Sequence, residues 1–310
     1  MKFPIDKEKR LIWSTARSCL ENNKFKHKRF GGKQKSHWTS FERFVRFGGF
    51  FLKIGPFYRI GNANAKNIIV NRIDVPSVHC PDAFDGYEIL HLSDLHLDCV
   101  EGLEDIICDR LQNLSYDLCV ITGDYREKTH GGYKQILGPL QKVIKSIHAR
   151  DGILAVLGNH DTYLMVHDFE KMGIRILTNE TVQIQRGDAR ISITGLDDPS
   201  NYYTDAALRA LEEEKDGCKI VLAHSPELYD MASMNGYKLY LCGHTHGGQI
   251  CLPGGIPLVT HLKTGKKFFR GLWQYNGMAG YTSQGCGASG IPVRFNTTSE
   301  ITLLTLSRHR

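Results

Sequence analysis

Between residues 87 and 242 short apolar runs alternate with longer amphipathic stretches. The runs cover 87–93, 118–122, 153–157, 191–196, 219–223 and 238–242 and are rich in Val, Ile and Leu. They do not alternate strictly, the pattern expected of strands covered on both faces. Between them, residues 103–114, 135–147, 205–214 and 227–234 place apolar side chains at i, i+3/4, the helical period. The two periods taken in turn predict an α/β layered core of two sheets sandwiched by helices. Residues 291–295 and 301–306 alternate more strictly and predict a late antiparallel strand pair.

Upstream the character differs. Residues 1–40 are polar and basic and lack sustained periodicity, apart from a short stretch near 11–20. From residue 40 to 53, Phe41, Phe44, Val45, Phe51 and Leu52 fall on one side of a helical projection, and Glu42, Arg43, Arg46 and Lys53 on the other. A cationic, aromatic-rich amphipathic pattern of this kind suits a helix lying in a membrane interface. The alternative is a helix packing its Phe face on the neighbouring domain, and Gly48-Gly49 weakens the helix itself. The chain thus divides into a basic, aromatic-containing N-terminal arm over residues 1–64 and a catalytic domain over residues 65–310.

Composition narrows the partners. Residues 1–53 hold 14 Lys and Arg against 4 Asp and Glu, while the remainder holds 25 against 29, so residues 1–53 of the arm carry +10 and the rest of the chain −4. A polybasic arm points to phosphate-bearing partners, an anionic membrane surface above all. The acidic domain makes a broad nucleic-acid footprint there unlikely to arise, which ranks nucleic acid lower. No apolar run approaches the roughly 20 residues that span a bilayer, and no apolar region follows the first charges as in a secretory signal. The nine cysteines show no CxxC spacing. They read as reduced, mostly buried thiols of a cytoplasmic protein that can lie on the inner face of the membrane.

The chemistry lies at the ends of the apolar runs. Five clusters stand there: Asp94-Leu95-His96, Gly123-Asp124, Gly158-Asn159-His160-Asp161, Ala223-His224-Ser225 and Gly243-His244-Thr245-His246. Polar residues just past strand C-termini converge on one crevice in open α/β sheets. Asp94, His96, Asp124, Asn159, His224, His244 and His246 make seven oxygen and nitrogen donors, which suit Mn, Fe or Zn. Seven are too many for one ion; with one bridging carboxylate, two ions receive four ligands each. Two such ions activate water and clamp the oxygens of an in-line phosphoryl displacement. His160 and Asp161 remain for other work: an imidazole that protonates the leaving alkoxide or steadies a phosphate oxygen, and a carboxylate that fixes its tautomer.

The clusters together resemble the calcineurin-like metallophosphoesterase superfamily, whose D-x-H, G-D, G-N-H-[DE], lone H and G-H-x-H pattern stands complete over residues 94–246. The resemblance implies a four-layer αββα sandwich of two mixed sheets flanked by helices. It implies two divalent metals, with Mn favoured over Fe or Zn, and hydrolysis of a phosphodiester or pyrophosphate bond by a metal-bound hydroxide. It assigns Asp94, His96, Asp124 and His246 to one metal and Asp124, Asn159, His224 and His244 to the other, with Asp124 bridging and His160 catalytic. The Ser/Thr protein phosphatases of the superfamily extend G-D to G-D-x-x-D-R-G; here Tyr125-Arg126-Glu127-Lys128-Thr129 follows Asp124, which argues against that branch. Both Glu127 and Asp161 are therefore open as the group orienting His160, with Asp161 preferred.

The run Gly243-His244-Thr245-His246-Gly247-Gly248-Gln249 and the tail from Gly285 to Phe295 look like a bacterial branch of small phosphoesterases. Some of its members act on lipid-linked pyrophosphates such as UDP-2,3-diacylglucosamine, so the resemblance and the arm together favour a membrane-associated phospho-compound. A nuclease, a cyclic-nucleotide phosphodiesterase and a non-catalytic scaffold are the alternatives; the intact site argues against the scaffold. Arg126 and Arg294 are candidates for binding the substrate phosphate, with plain surface charge as the other reading. His91 and His261 are the remaining histidines expected near the pocket. Cys99, Cys242 and Cys251 are expected as small buried apolar residues.

Overall fold

Each of the six apolar runs forms a strand in the computed structural model, which describes residues 3–22, 56–75 and 80–307. The amphipathic segment expected over residues 40–53 lies outside the described residues. One sheet has the order β1 (Ile68–Val75), β14 (Ser299–Leu306), β2 (Tyr87–Leu92), β3 (Leu118–Ile121), β4 (Ile153–Ala155) and β5 (Ile174–Ile176). The other has the order β12 (Gly271–Tyr275), β13 (Met278–Thr282), β9 (Leu239–Cys242), β8 (Cys218–Leu222), β7 (Ala189–Gly195) and β6 (Glu180–Arg186). Both are mixed: β2, β3, β4 and β5 run parallel, as do β7, β8, β9 and β13, while β14 is antiparallel to β2 and β6 to β7. A short hairpin, β10 (Cys251–Leu252) and β11 (Ile256–Pro257), stands apart.

The missing alternation in the strands has a direct cause. Ile89, Leu118, Val120 and Leu154 face inward and meet Ile191, Ile193, Ile220, Leu222, Leu239 and Leu241 of the second sheet in one buried core. Their neighbours Leu90, Cys119, Ile121 and Ile153 face outward and are buried under α3 (Leu103–Leu111), α4 (Leu137–Lys145) and α5 (Val166–Lys171). On the far side, α6 (Asp205–Glu212) and α7 (Tyr229–Met234) cover Val221 and Tyr240. Successive side chains of a strand point to opposite faces, so a strand between two apolar layers reads as a continuous apolar run. The fold is thus the four-layer sandwich of helices, two mixed sheets and helices.

Among the described residues, two further helices precede the first strand. α1 (Lys7–Asn22) lies within the basic arm yet packs on the domain: Trp13 joins the outer core of the first sheet and Arg17 is buried. α2 (Pro56–Lys66) leads directly into β1. No helix among the described residues is long and apolar enough to cross a membrane.

The expected late strand pair does not form. Residues 301–306 belong to β14, which pairs parallel with β1 and antiparallel with β2. Residues 291–295 make only a single bridge, Phe295 to Ile250. Their hydrogen bonds go elsewhere, from Arg294 N–H to Gly61 O (2.9 Å) and from Phe295 N–H to Gln249 O (3.1 Å). Their alternation reflects packing of Val293 and Phe295 against Gly61 of α2.

Candidate metal centre

The five clusters follow β2, β3, β4, β8 and β9, so both sheets deliver residues to one end of the sandwich. Three connecting loops of the first sheet bring Asp94, His96, Asp124, Asn159 and His160; two loops of the second bring His224, His244 and His246. The Asp124 carboxylate sits in the middle. Its Oδ2 lies 3.2 Å from His224 Nε2, 3.6 Å from His96 Nε2 and 3.9 Å from His160 Nε2. His246 Nε2 is 3.5 Å from Asp94 Oδ1, His244 Nδ1 is 3.2 Å from His224 Nε2, and Asn159 Oδ1 is 3.1 Å from that same nitrogen. All seven expected donors therefore converge.

These donors fit a pair of metal ions. The ligand atoms of Asp94, His96 and His246 lie within 4.8 Å of one another, as do those of Asp124, His224 and His244. Two three-donor clusters with Asp124 close to both are the arrangement that two adjacent ions need. Moreover, the buried His96 Nε2 has no hydrogen-bond partner and faces Asp124. A buried imidazole lone pair left in this state costs free energy unless a cation or proton meets it.

The second nitrogen of several rings is held by main chain, which sets the tautomer. His224 Nδ1 donates to Thr122 O (2.7 Å) and His96 Nδ1 to Arg126 O (2.9 Å), with Glu127 Oε2 3.3 Å from the latter nitrogen. Each presents Nε2 to the centre. Ser93 Oγ donates to Asp94 Oδ2 (2.7 Å), and the His244 N–H reaches both oxygens of Asp94 (3.1 and 3.0 Å).

Electrostatics follows from burial and neighbours. Burial pushes His96 down to about 3, with the adjacent His160 adding to it. Burial also holds His244 and His246 well below the ordinary imidazole range, so these rings are neutral, the form that binds a metal. Burial raises the Asp94 carboxyl to about 6. Burial opposes the charged forms of Asp124 and His224 as well, but each stabilises the other's charge: Asp124 lies well below its usual range and His224 well above.

Backbone conformation is unusual at the same positions. Asp94, His96, Asp124, His244 and His246 all have left-handed φ, between 39° and 74°. Non-glycine residues seldom adopt it, and each instance costs about 1–3 kcal/mol. Hydrogen bonds hold the strained turns: Asp94 N–H to Gly123 O (3.0 Å), His96 N–H to Asp124 O (3.0 Å) and Asp124 N–H to Asp161 Oδ2 (2.8 Å).

Gly158 allows the central carboxylate to approach the main chain closely. A Cβ there would stand 2.1 Å from Asp124 Oδ1 and 2.7 Å from its main-chain nitrogen. Gly158→Ala should therefore displace the central carboxylate and weaken metal binding about 10–100-fold, the usual effect of disturbing a ligand's support. Gly138→Ala is the control, because a Cβ at that α4 position meets nothing within 4 Å. Calorimetric titration of both metal-stripped variants checks this; equal affinities would contradict the close contact.

Three expectations need correction. Asp161 does not touch the His160 ring; it accepts from the main-chain N–H groups of Gly158 (2.7 Å), Asp124 (2.8 Å) and Tyr125 (2.9 Å), which makes it the brace between two loops. The group at His160 Nδ1 is the carbonyl oxygen of Glu127. Arg126 is buried with Nε on His160 O (2.7 Å) and Nη1 on Gly131 O (2.7 Å). Arg294 is fully buried and donates to the carbonyls of His246 (2.9 Å), Thr298 (3.1 Å) and Gly287 (2.7 Å). Both guanidiniums are thus committed to main chain, not open to a phosphate.

Of the other residues singled out, His91 is buried with Nε2 on Thr122 Oγ1 (2.9 Å) and is pushed down to about 3 by burial. The ring centre of His261 is 6.3 Å from that of His244. Of the cysteines singled out, Cys242 and Cys251 are buried and Cys99 is half-buried. Sequence reasoning missed Ser93 and Thr122, although each stands between the end of a strand and a cluster; Ser93 supports Asp94 and Thr122 supports His224. The tail also bears on the site: Cys286 N–H donates to Ser93 O (2.9 Å) and Gly287 N–H to Asp94 O (2.8 Å).

Comparison with known proteins agrees with this geometry. A protein-family model described as calcineurin-like phosphoesterase matches residues 87–248. The uncharacterized metallophosphoesterase YkoQ of Bacillus subtilis (strain 168) is 30% identical over 80% of this chain and 93% of its own length. YkuE of the same organism, also an uncharacterized metallophosphoesterase, is 31% identical over 73% of this chain and 81% of its own. Phosphodiesterase YaeI of Escherichia coli (strain K12) is 27% identical over 71% of this chain and 82% of its own.

Proposed function

Since the chain belongs to the calcineurin-like metallophosphoesterase family and is a metal-dependent phosphoesterase, we propose that it hydrolyses a phosphodiester or pyrophosphate bond at a dinuclear centre. The observation that carries the reading is the convergence of seven donors, the Asp124 carboxylate among them, with His160 beside them. Asp94, His96, Asp124 and His246 would hold one ion, and Asp124, Asn159, His224 and His244 the other. When bound, the two ions supply a water acidic enough to attack phosphorus and positive charge for the phosphoryl oxygens. We favour Mn, with Fe and Zn also suited to these ligands.

The chain's own residues then do the following. Asp124 Oδ1 accepts the His160 N–H (2.9 Å), which ties the loop of the acid to the central carboxylate. The Glu127 carbonyl occupies the His160 Nδ1 proton, leaving Nε2 as the atom that carries a proton to the leaving-group oxygen. With Arg126 and Arg294 committed to carbonyls, neutralisation of the substrate falls to the metals and imidazoles. That suits a phosphorus bearing one charge, as in a diester or a substituted pyrophosphate, over a monoester dianion. The phosphodiesterase name of the Escherichia coli relative supports the same choice.

For the substrate itself we favour a membrane-associated phospho-compound, UDP-2,3-diacylglucosamine among the candidates, met by a cytoplasmic protein on the inner face of the membrane. The support is the +10 arm and its Phe41, Phe44 and Phe51. Metal-reconstituted full chain should turn over at least one of a nucleotide-sugar lipid, a cyclic nucleotide, a phospholipid and single-stranded DNA, and leave a phosphate monoester nearly untouched. Hydrolysis of the monoester alone would overturn the diester reading. In the same preparation the protein should sediment with anionic liposomes at low salt and release them at high salt. Failure to sediment at low salt would remove the case for a lipid substrate.

A further inference from the structure

The inward stripe of α1 runs Arg10, Trp13, Arg17 and Glu21, the i, i+3/4 spacing of one helix face. Its last two members reach the loop that carries Asn159 and His160. Arg17 Nη2 donates to the carbonyls of Asp161 (2.9 Å) and Gly158 (3.3 Å), on either side of that pair. The same guanidinium bonds Glu21 through Nε (2.8 Å), pairs with Asp197 through Nη1, and has Cζ 3.3 Å from the ring centre of Tyr202. Glu21 in turn accepts from Thr162 Oγ1 (2.6 Å) and the Tyr163 N–H (3.1 Å). Trp13 Nε1 donates to the other oxygen of Asp197 (2.8 Å). From the opposite side of the same loop, Asn159 Oδ1 meets His224 and the His160 N–H meets Asp124.

Stability does not account for this design. A buried ion pair adds little over well-packed apolar side chains of similar size, and an apolar stripe would fasten a helix as well. What an apolar side chain lacks is a planar fork of donors that fixes two carbonyls at once. Arg17 is 1% exposed, so this fork works out of competition with water.

We propose that Arg17 is a positioning residue for the metal centre: by holding the carbonyls of Gly158 and Asp161, it fixes the loop bearing Asn159 and His160. The inference rests on the dinuclear reading above. Docking of α1 thereby sets how tightly the ion on the Asn159 side is held and how His160 meets the leaving group.

The test is calorimetric titration of Mn²⁺ into metal-stripped full-length protein. Arg17→Met should weaken one of the two equivalents about 10–100-fold and spare the other. Arg10→Met is the control for helix docking alone, because Arg10 contacts Ile176 O (2.8 Å), Glu170 (3.0 Å) and Glu180 (3.2 Å) and nothing in the loop. It should bind both equivalents as wild type does. At saturating Mn²⁺, Arg17→Met should lower kcat with KM little changed, and more for an ester with a poor leaving group. If Arg17→Met does not fold, Arg17→Lys keeps the charge beside Asp197 but not the fork, and should show the same selective weakening. Two wild-type affinities and an unchanged kcat in the folded variant would overturn the proposal. A wild-type chain that binds no Mn²⁺ would instead overturn the dinuclear reading beneath it.

Discussion

Asp124→Ala should empty both metal positions and bring hydrolysis down to the uncatalysed background. In the proposed assignment no other side chain is shared between the two sets of donors, so this substitution removes a ligand from each. The carboxylate also does more than ligate. Its Oδ1 holds the His160 N–H, and its Oδ2 lies among the imidazoles of His224, His96 and His160. Without it, His224 loses the charge that offsets its burial. Asp124→Asn keeps the shape but not the charge, and should lose most of the same affinity. Metal analysis of the purified variants, alongside turnover, is the measurement. Two retained equivalents with normal activity would show that the bridging role belongs to another group.

His160→Ala should give a different signature: both metals stay bound while kcat falls about 10²–10⁴-fold, the usual loss when a general acid is removed. His160 belongs to neither the Asp94 cluster nor the Asp124 cluster; it groups with His96 and Glu127, and its ring nitrogen is 3.9 Å from Asp124 Oδ2. Its effect should depend on the leaving group. An alkoxide needs its proton at departure, whereas a nitrophenolate leaves without one, so the variant should recover much of its rate on a nitrophenyl ester. An equal loss on both esters would mean that the imidazole binds phosphate and does not deliver a proton.

The strands and the crevice were legible because they depend on local pattern. An apolar run ending in Asp-x-His is visible whatever surrounds it, and the sheet places such ends together. The supports were illegible because they depend on long-range pairing. Arg126 looked free to bind phosphate; only the folded loop brings His160 O and Gly131 O to it. Asp161 was expected at the imidazole beside it in sequence, but its carboxylate turns to three main-chain N–H groups. Arg17 gave no signal as a support of the site, since its partners in the domain lie about 140–180 residues away. Likewise, the alternation in residues 291–295 was real, but it recorded contact with Gly61 and not membership of a sheet.

The place of β14 bears on how the molecule comes into being. This strand lies between β1 and β2, and β1 has no other neighbour in its sheet among the described residues. Ile68 pairs with Ser299, so β1 waits for more than two-thirds of the chain to be synthesised before its ladder can close. At about 5–20 residues per second that is a delay of tens of seconds at the slower end. Throughout it the strand edges of β1 and β2 stand open, the condition under which nascent chains associate with one another. The tail that clasps Asp94 leaves the ribosome just ahead of β14, so the main-chain support of that carboxylate is completed late as well. Low growth temperature and chaperone supply should therefore govern the yield of soluble protein more than metal in the medium does.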